Sequence, residues 1–125
     1  MDSDQIKNFA NYIYSTLGPG HSERIYHNAM EVILRKNNIQ YETERIVPIL
    51  FEGHTIGNVR ADLIIDNKLI VELKSTKSLN NVMKQQALNY LKLTGISRGL
   101  LINFPQIQSG ICEILEVDTS VETVL

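Results

Sequence analysis

Arg60-Ala61-Asp62-Leu63-Ile64-Ile65-Asp66-Asn67-Lys68-Leu69-Ile70-Val71-Glu72-Leu73-Lys74 is the stretch on which the reading of this chain turns. Two apolar runs flank a polar turn at Asp66-Asn67-Lys68. Side chains alternate faces along a strand. Glu72 and Lys74 are therefore expected to point one way and Val71 and Leu73 the other. On the preceding strand Arg60, Asp62 and Ile64 are expected to share one face. Charged groups on sheet faces otherwise rich in Ile, Leu and Val need a reason. Directly opposed residues of an antiparallel pair share a face. A three-residue turn pairs Ile65 with Leu69 and sets Asp62 opposite Glu72, their Cα atoms about 5 Å apart. Both carboxylates then reach one cation. A two-residue turn would set Asp62 opposite Val71 or Leu73 and destroy the arrangement.

Two carboxylates beside a lysine suit phosphodiester hydrolysis. Hard oxygen ligands favour Mg²⁺, which keeps several waters and binds through one or two carboxylates plus substrate phosphate. Such an ion polarises a phosphoryl oxygen and lowers the pKa of its water. Lys74 would orient or deprotonate that water and stabilise charge on the phosphorus oxygens. The Leu73 carbonyl, between Glu72 and Lys74, is a candidate further ligand. The bland alternative is a surface hairpin with ordinary cross-strand salt bridges, which are worth little.

Working outward, Ile6, Phe9, Ala10, Ile13 and Leu17 have helical spacing, predicting a first helix over residues 4 to 16 that stops at Gly18-Pro19-Gly20. Ser22 is the expected N-cap of a second helix running to about Lys36, with Ile25, Ala29, Val32 and Ile33 as its apolar stripe and Tyr26 and Met30 beside them. The period then changes. Residues 41 to 51 and 55 to 66 read as strands joined at Glu52-Gly53-His54. Pro48 lacks a donor, which predicts an edge strand or a bulge there. A third strand over 69 to 75 follows, then a helix capped by Ser78 and ended by Gly95, with Met83, Ala87, Tyr90 and Leu91 on one face. Residues 98 to 103 and 111 to 117 complete the order α-α-β-β-β-α-β-β, an α/β sandwich with helices covering the sheet.

The chain has 125 residues, expected as one domain over 1–125 with a core at about 4–117 and a polar tail at 118–125. Its net charge of −2 and pI near 5.9 argue against bulk electrostatic affinity for nucleic acid. They leave room for an enzyme acting on it, because a carboxylate cluster subtracts charge that a cation restores. The acidic N-terminus is no signal peptide and no apolar run spans a membrane, so the expectation is an intracellular protein, cytoplasmic or nuclear. Cys112 is the only cysteine and is expected to be a buried small hydrophobe. It makes no zinc spacing with His21, His27 and His54, and there is neither a Walker loop nor a Ser-His-Asp pattern. Arg24, Arg35, Lys36, Lys74, Lys77, Lys84 and Lys92 either line a groove for a phosphate backbone or make up solvated helix faces.

Asp62 followed by Glu72-Leu73-Lys74 resembles the D…(D/E)xK signature of the PD-(D/E)XK nuclease superfamily, with Ala61 where a proline is usual. The chain is similar in particular to the GxxExxY family within it. Gly20-His21-Ser22-Glu23-Arg24-Ile25-Tyr26 fits the naming motif. Gln86-Ala87-Leu88-Asn89-Tyr90-Leu91 fits the Q…YL helix, and Gly99-Leu100-Leu101-Ile102-Asn103-Phe104 the GLLINF strand. The similarity runs from about Leu17 to Phe104. It implies a restriction-endonuclease-like fold, a mixed central sheet flanked by helices. It also implies Asp62 and Glu72 as ligands of Mg²⁺ or Mn²⁺, Lys74 as the catalytic lysine and Glu23 as a further acid that ligates or orients metal or water. Gln86 is implied at the rim, contacting phosphate or steadying the lysine. The implied function is metal-dependent hydrolysis of DNA, before RNA. Specificity is expected from a second subunit in a homodimer, from a protein partner, or from DNA structure. Tyr90 reads as core or semi-core. The rival expectation is a non-catalytic member of the fold that binds nucleic acid or a protein partner.

Overall fold

A computed structural model of the chain describes residues 2–107 and 110–119. Helices α1 (Ser3–Leu17) and α2 (Glu23–Lys36) precede strands β1 (Tyr41–Phe51), β2 (His54–Ile65) and β3 (Leu69–Lys74). Helix α3 (Asn81–Thr94) then carries the chain to β4 (Arg98–Asn103) and β5 (Glu113–Asp118). The element order is the expected one. The strands form one sheet in the order β1-β2-β3-β4-β5. Only β3 and β4 run parallel, because α3 returns the chain over the sheet between them.

Each face of the sheet has its own core. Ile6, Ala10 and Ile13 of α1 and Tyr26, Met30 and Leu34 of α2 pack on Leu63, Ile65, Leu69, Val71, Leu73, Leu100 and Ile102. On the other face Ala87, Leu88 and Leu91 of α3 pack on Ala61, Ile64, Ile70 and Val117. Gly99 allows α3 to approach: an added Cβ would lie 2.9 Å from Val117 Cγ2 and 3.4 Å from Leu91 Cδ2.

Several local expectations are corrected. Helix α2 buries Tyr26, His27, Met30 and Leu34, whereas Ile25 and Val32 are exposed. The helix is rotated so that its aromatic and long apolar residues, at i+4 spacing, take the core. Ser22 stands at the N-cap position but makes no side-chain bond there. The cap of α3 is Asn80, whose side chain accepts from the Met83 N–H, and not Ser78. Leu17 lies outside the core. Asp118 ends β5 and so is not tail, and the Thr119 N–H donates to the Ser97 carbonyl at 3.1 Å; residues 120–125 of the expected tail lie outside the described residues.

The turns set the register. Glu52 and Gly53, both at positive φ, join β1 to β2, and β1 is an edge strand with a bulge at Ile49/Leu50, next to Pro48. Asp66 and Asn67, also at positive φ, turn β2 into β3 so that Ile65 pairs with Leu69 and Leu63 with Val71. The three-residue turn is present.

Candidate active site

The next step of that register sets Asp62 opposite Glu72, but the ladder does not continue through it. Side chains replace the missing backbone bonds. Glu72 Oε1 accepts from the Asp62 N–H at 3.2 Å, and Asp62 Oδ2 accepts from the Leu73 N–H at 2.9 Å. On its other side β2 skips a pair as well: Thr43 faces Leu63 and Arg45 faces Ala61, with Glu44 between them at φ +57. Ala61 and Leu63 consequently lie in different cores, although strict alternation would put them together. The strand turns over at Asp62, so Arg60, Asp62 and Ile64 do not share one regular face. The irregularity lies at the carboxylate pair itself.

Glu72 is 3% exposed. Burial, then the neighbouring Asp62 carboxylate, pushes its pKa up to about 9, and Lys74 offsets this only in part. Lys74 itself is half-buried at the end of β3. Tyr90 on α3 is half-buried as well, its hydroxyl pushed up to about 12 by burial and then by the charges of Glu72 and Asp62. Gln86 is exposed on α3 one turn before Tyr90.

On the α2 side a cleft of about 190 Å³ is lined by Glu23, Arg24, His27, Asp62 and Leu73. The loop before α2 is fastened so that Glu23 opens that helix at the cleft. Tyr26 stacks on Phe104 with ring centroids 4.1 Å apart, and its hydroxyl donates to the Gly18 carbonyl at 2.6 Å. Ser75, just past β3, donates to the His21 carbonyl at 2.8 Å. Asn103 completes the frame: its side chain accepts from the Thr76 N–H at 2.9 Å and donates to the Thr76 carbonyl at 3.1 Å. The tyrosine, asparagine and phenylalanine of the sequence motifs thus build the frame around the carboxylates.

The structure brings Asp62 and Glu72 together, with Lys74 at the same strand end and Glu23 in the cleft beside Asp62. It does not bring Glu23 into one cluster with both. Among the described residues no three His, Cys, Asp or Glu side chains converge closely enough to hold one ion. The donor set nonetheless suits a hard divalent cation: two adjoining carboxyl groups, one of them held in its acid form by burial and by its neighbour. Of the basic residues, Arg24 lines the cleft and pairs with Glu44, while Arg35 pairs with Glu31. His27 was not singled out from the sequence. Its signal was there: Glu23, His27 and Glu31 form a polar i, i+4, i+8 stripe beside the buried one.

A family model described as the PD-(D/E)XK nuclease superfamily matches residues 2–114. No curated protein matches. The crystal structure of SSO0001 superposes with a TM-score of 0.56 at 29% identity, covering 77% of this chain and 50% of that one. The chain thus spans about half the length of that protein. An alkaline exonuclease (LHK-Exo) from Laribacter hongkongensis superposes with a TM-score of 0.50 at 7% identity, covering 97% of this chain and 86% of that one. This second likeness is one of fold.

Proposed function

This chain belongs to the PD-(D/E)XK nuclease superfamily, and from that membership we propose that it is a divalent-metal-dependent phosphodiesterase acting on DNA, of the GxxExxY kind. The observation that carries the proposal is the opened ladder at Asp62 and Glu72. Two carboxylates take up the backbone N–H groups that pairing would have used, and one of them is buried without a matching cation. A fold gains nothing from crowding two carboxyl groups so that one must keep its proton; a metal site needs both oxygens there.

In this reading Asp62, Glu72 and the Leu73 carbonyl hold Mg²⁺ or Mn²⁺. When bound, that ion supplies Lewis-acid polarisation of the phosphoryl oxygen and an acidified water. Lys74 donates to a non-bridging oxygen and stabilises the charge that grows there. Glu23 orients water across the cleft, and Gln86 steadies a flanking phosphate. A second copy or a protein partner supplies the target preference.

The test is cleavage of labelled single- and double-stranded DNA and RNA with Mg²⁺, Mn²⁺ or EDTA, with Lys74→Ala in parallel. Metal-dependent cutting that is lost in the variant supports the proposal and names the substrate. Metal binding with no cutting in any lane would replace it with a non-catalytic, nucleic-acid-binding role.

A further inference from the structure

His27 is 5% exposed, yet it lines the cleft that holds Glu23 and Asp62. Its Nε2 lies 2.9 Å from Thr43 Oγ1 and 3.1 Å from Glu31 Oε2. Glu31 is fixed in turn, its Oε1 accepting from the Tyr41 hydroxyl at 3.0 Å and facing Arg35 at 3.6 Å. An ionised carboxylate only accepts, so the Glu31 contact places the ring proton on Nε2. In its neutral form a ring so held presents Nδ1 as a lone pair. Among the described residues no buried side-chain nitrogen or oxygen is left without a partner, and the bonds of His27 run through Nε2. Nδ1 is therefore the ring nitrogen left without a protein partner and not sealed off, on a residue that lines the cleft. A phosphodiester has no proton to give such an atom; a water has.

We propose that His27 is the general base of the cleft: Nδ1 accepts a hydrogen bond from the attacking water, with Glu31 and Thr43 as its positioning residues. The inference rests on the phosphodiesterase reading above and adds the group that takes the proton. As the water oxygen bonds to phosphorus, its proton passes to Nδ1 and the imidazolium is held through Nε2–H by Glu31. The phosphorus–oxygen bond to the leaving sugar breaks, and that oxygen takes a proton from solvent. His27 then returns its proton to solvent, so the sum is water plus diester giving monoester plus alcohol. Direct metal ligation is the other use of such a lone pair. The metal affinity of a His27 variant separates the two uses.

His27→Gln tests this, since its amide can keep the Nε2 contacts while removing Nδ1. With the Mg²⁺-loaded protein, kcat is expected to fall about 10²- to 10⁴-fold with KM little changed. Exogenous imidazole should restore part of the rate of His27→Ala, which a merely structural histidine would not allow. Mn²⁺ affinity, read by calorimetry, should be the same in wild type and His27→Gln; a loss of about tenfold or more would make His27 a ligand and overturn the base role. Should the variants fail to fold, ¹⁵N spectra of the wild-type imidazole decide, because a proton on Nδ1 of the neutral ring contradicts the proposal. Cutting by His27→Gln at the wild-type kcat sinks this inference alone. Absence of cutting by the wild type sinks the phosphodiesterase reading, and the base role with it.

Discussion

Asp62 and Glu72 tie stability to proton and metal at the level of single residues. Below the ordinary carboxyl pKa of 4.5, Glu72 is protonated both folded and unfolded. Between 4.5 and about 9 the folded protein keeps a proton that the unfolded chain has released. Stability of the metal-free protein is then expected to fall as pH rises through this window. Thermal melts from pH 5 to pH 9 in EDTA should show a declining Tm, and Glu72→Gln should flatten the decline; an unchanged slope in that variant would place the linked proton elsewhere. Asp62→Asn removes the repulsion directly and should raise the metal-free Tm at pH 8 while abolishing stabilisation by Mn²⁺. The lone cysteine stands outside this chemistry. Burial pushes the Cys112 thiol up to about 12, its Sγ lies 3.4 Å from the Ala10 carbonyl, and it should resist alkylation in the native protein.

Strands and helices differ in how firmly they are held. Strand β3 has partners on both sides and buries Leu69 to Leu73. The β1–β2 hairpin beyond Asp62 has no third strand, since pairing of β2 with β3 ends at Leu63. Two-stranded ribbons are marginal on their own. Hydrogen exchange should therefore find the amides of residues 45–61 opening well before those of β3 and β4; equal protection would show that something else braces the hairpin. The contact between α3 and β4 is close-packed at Gly99, where an added methyl meets Val117, the Ile70 carbonyl at 3.2 Å and Leu91. Gly99→Ala should cost about 1–3 kcal/mol by overpacking, read from denaturant midpoints. Its glycine is there for packing, since it needs no unusual φ.

For the molecule as a whole, the two cores supply the stability and the site draws on it. Glu72 is wedged between strands that otherwise bury Ile, Leu and Val on both faces. A cation bound only by the folded chain returns that stability through mass action. Mg²⁺ or Mn²⁺ at about 100 times its Kd should raise unfolding free energy by about 2.7 kcal/mol. Calorimetric scans with and without metal measure this, and metal-insensitive melting would mean that the carboxylate pair holds no ion. Ionic strength should have the lesser effect on the carboxylate pair itself, because salt screens buried groups much less than exposed ones.

Sequence alone determined the element order, the three-residue turn at Asp66 to Lys68 and hence the pairing of Ile65 with Leu69 that brings Asp62 toward Glu72. These follow from local rules: period, turn chemistry and the two-residue repeat of a strand. Tertiary structure decided what local rules cannot reach. Rotation of α2 toward Tyr26, Met30 and Leu34 depends on which stripe meets the sheet and on Phe104, far along the chain, stacking on Tyr26. The reversal of β2 at Asp62 depends on an irregularity in another strand, at Glu44. Recruitment of His27 depends on Thr43, reached across a loop from α2, and on a cleft that forms only when helix and sheet meet. Spacing along one strand is written in neighbouring residues, whereas a site walled by two elements exists only once their packing energy has fixed the distance between them.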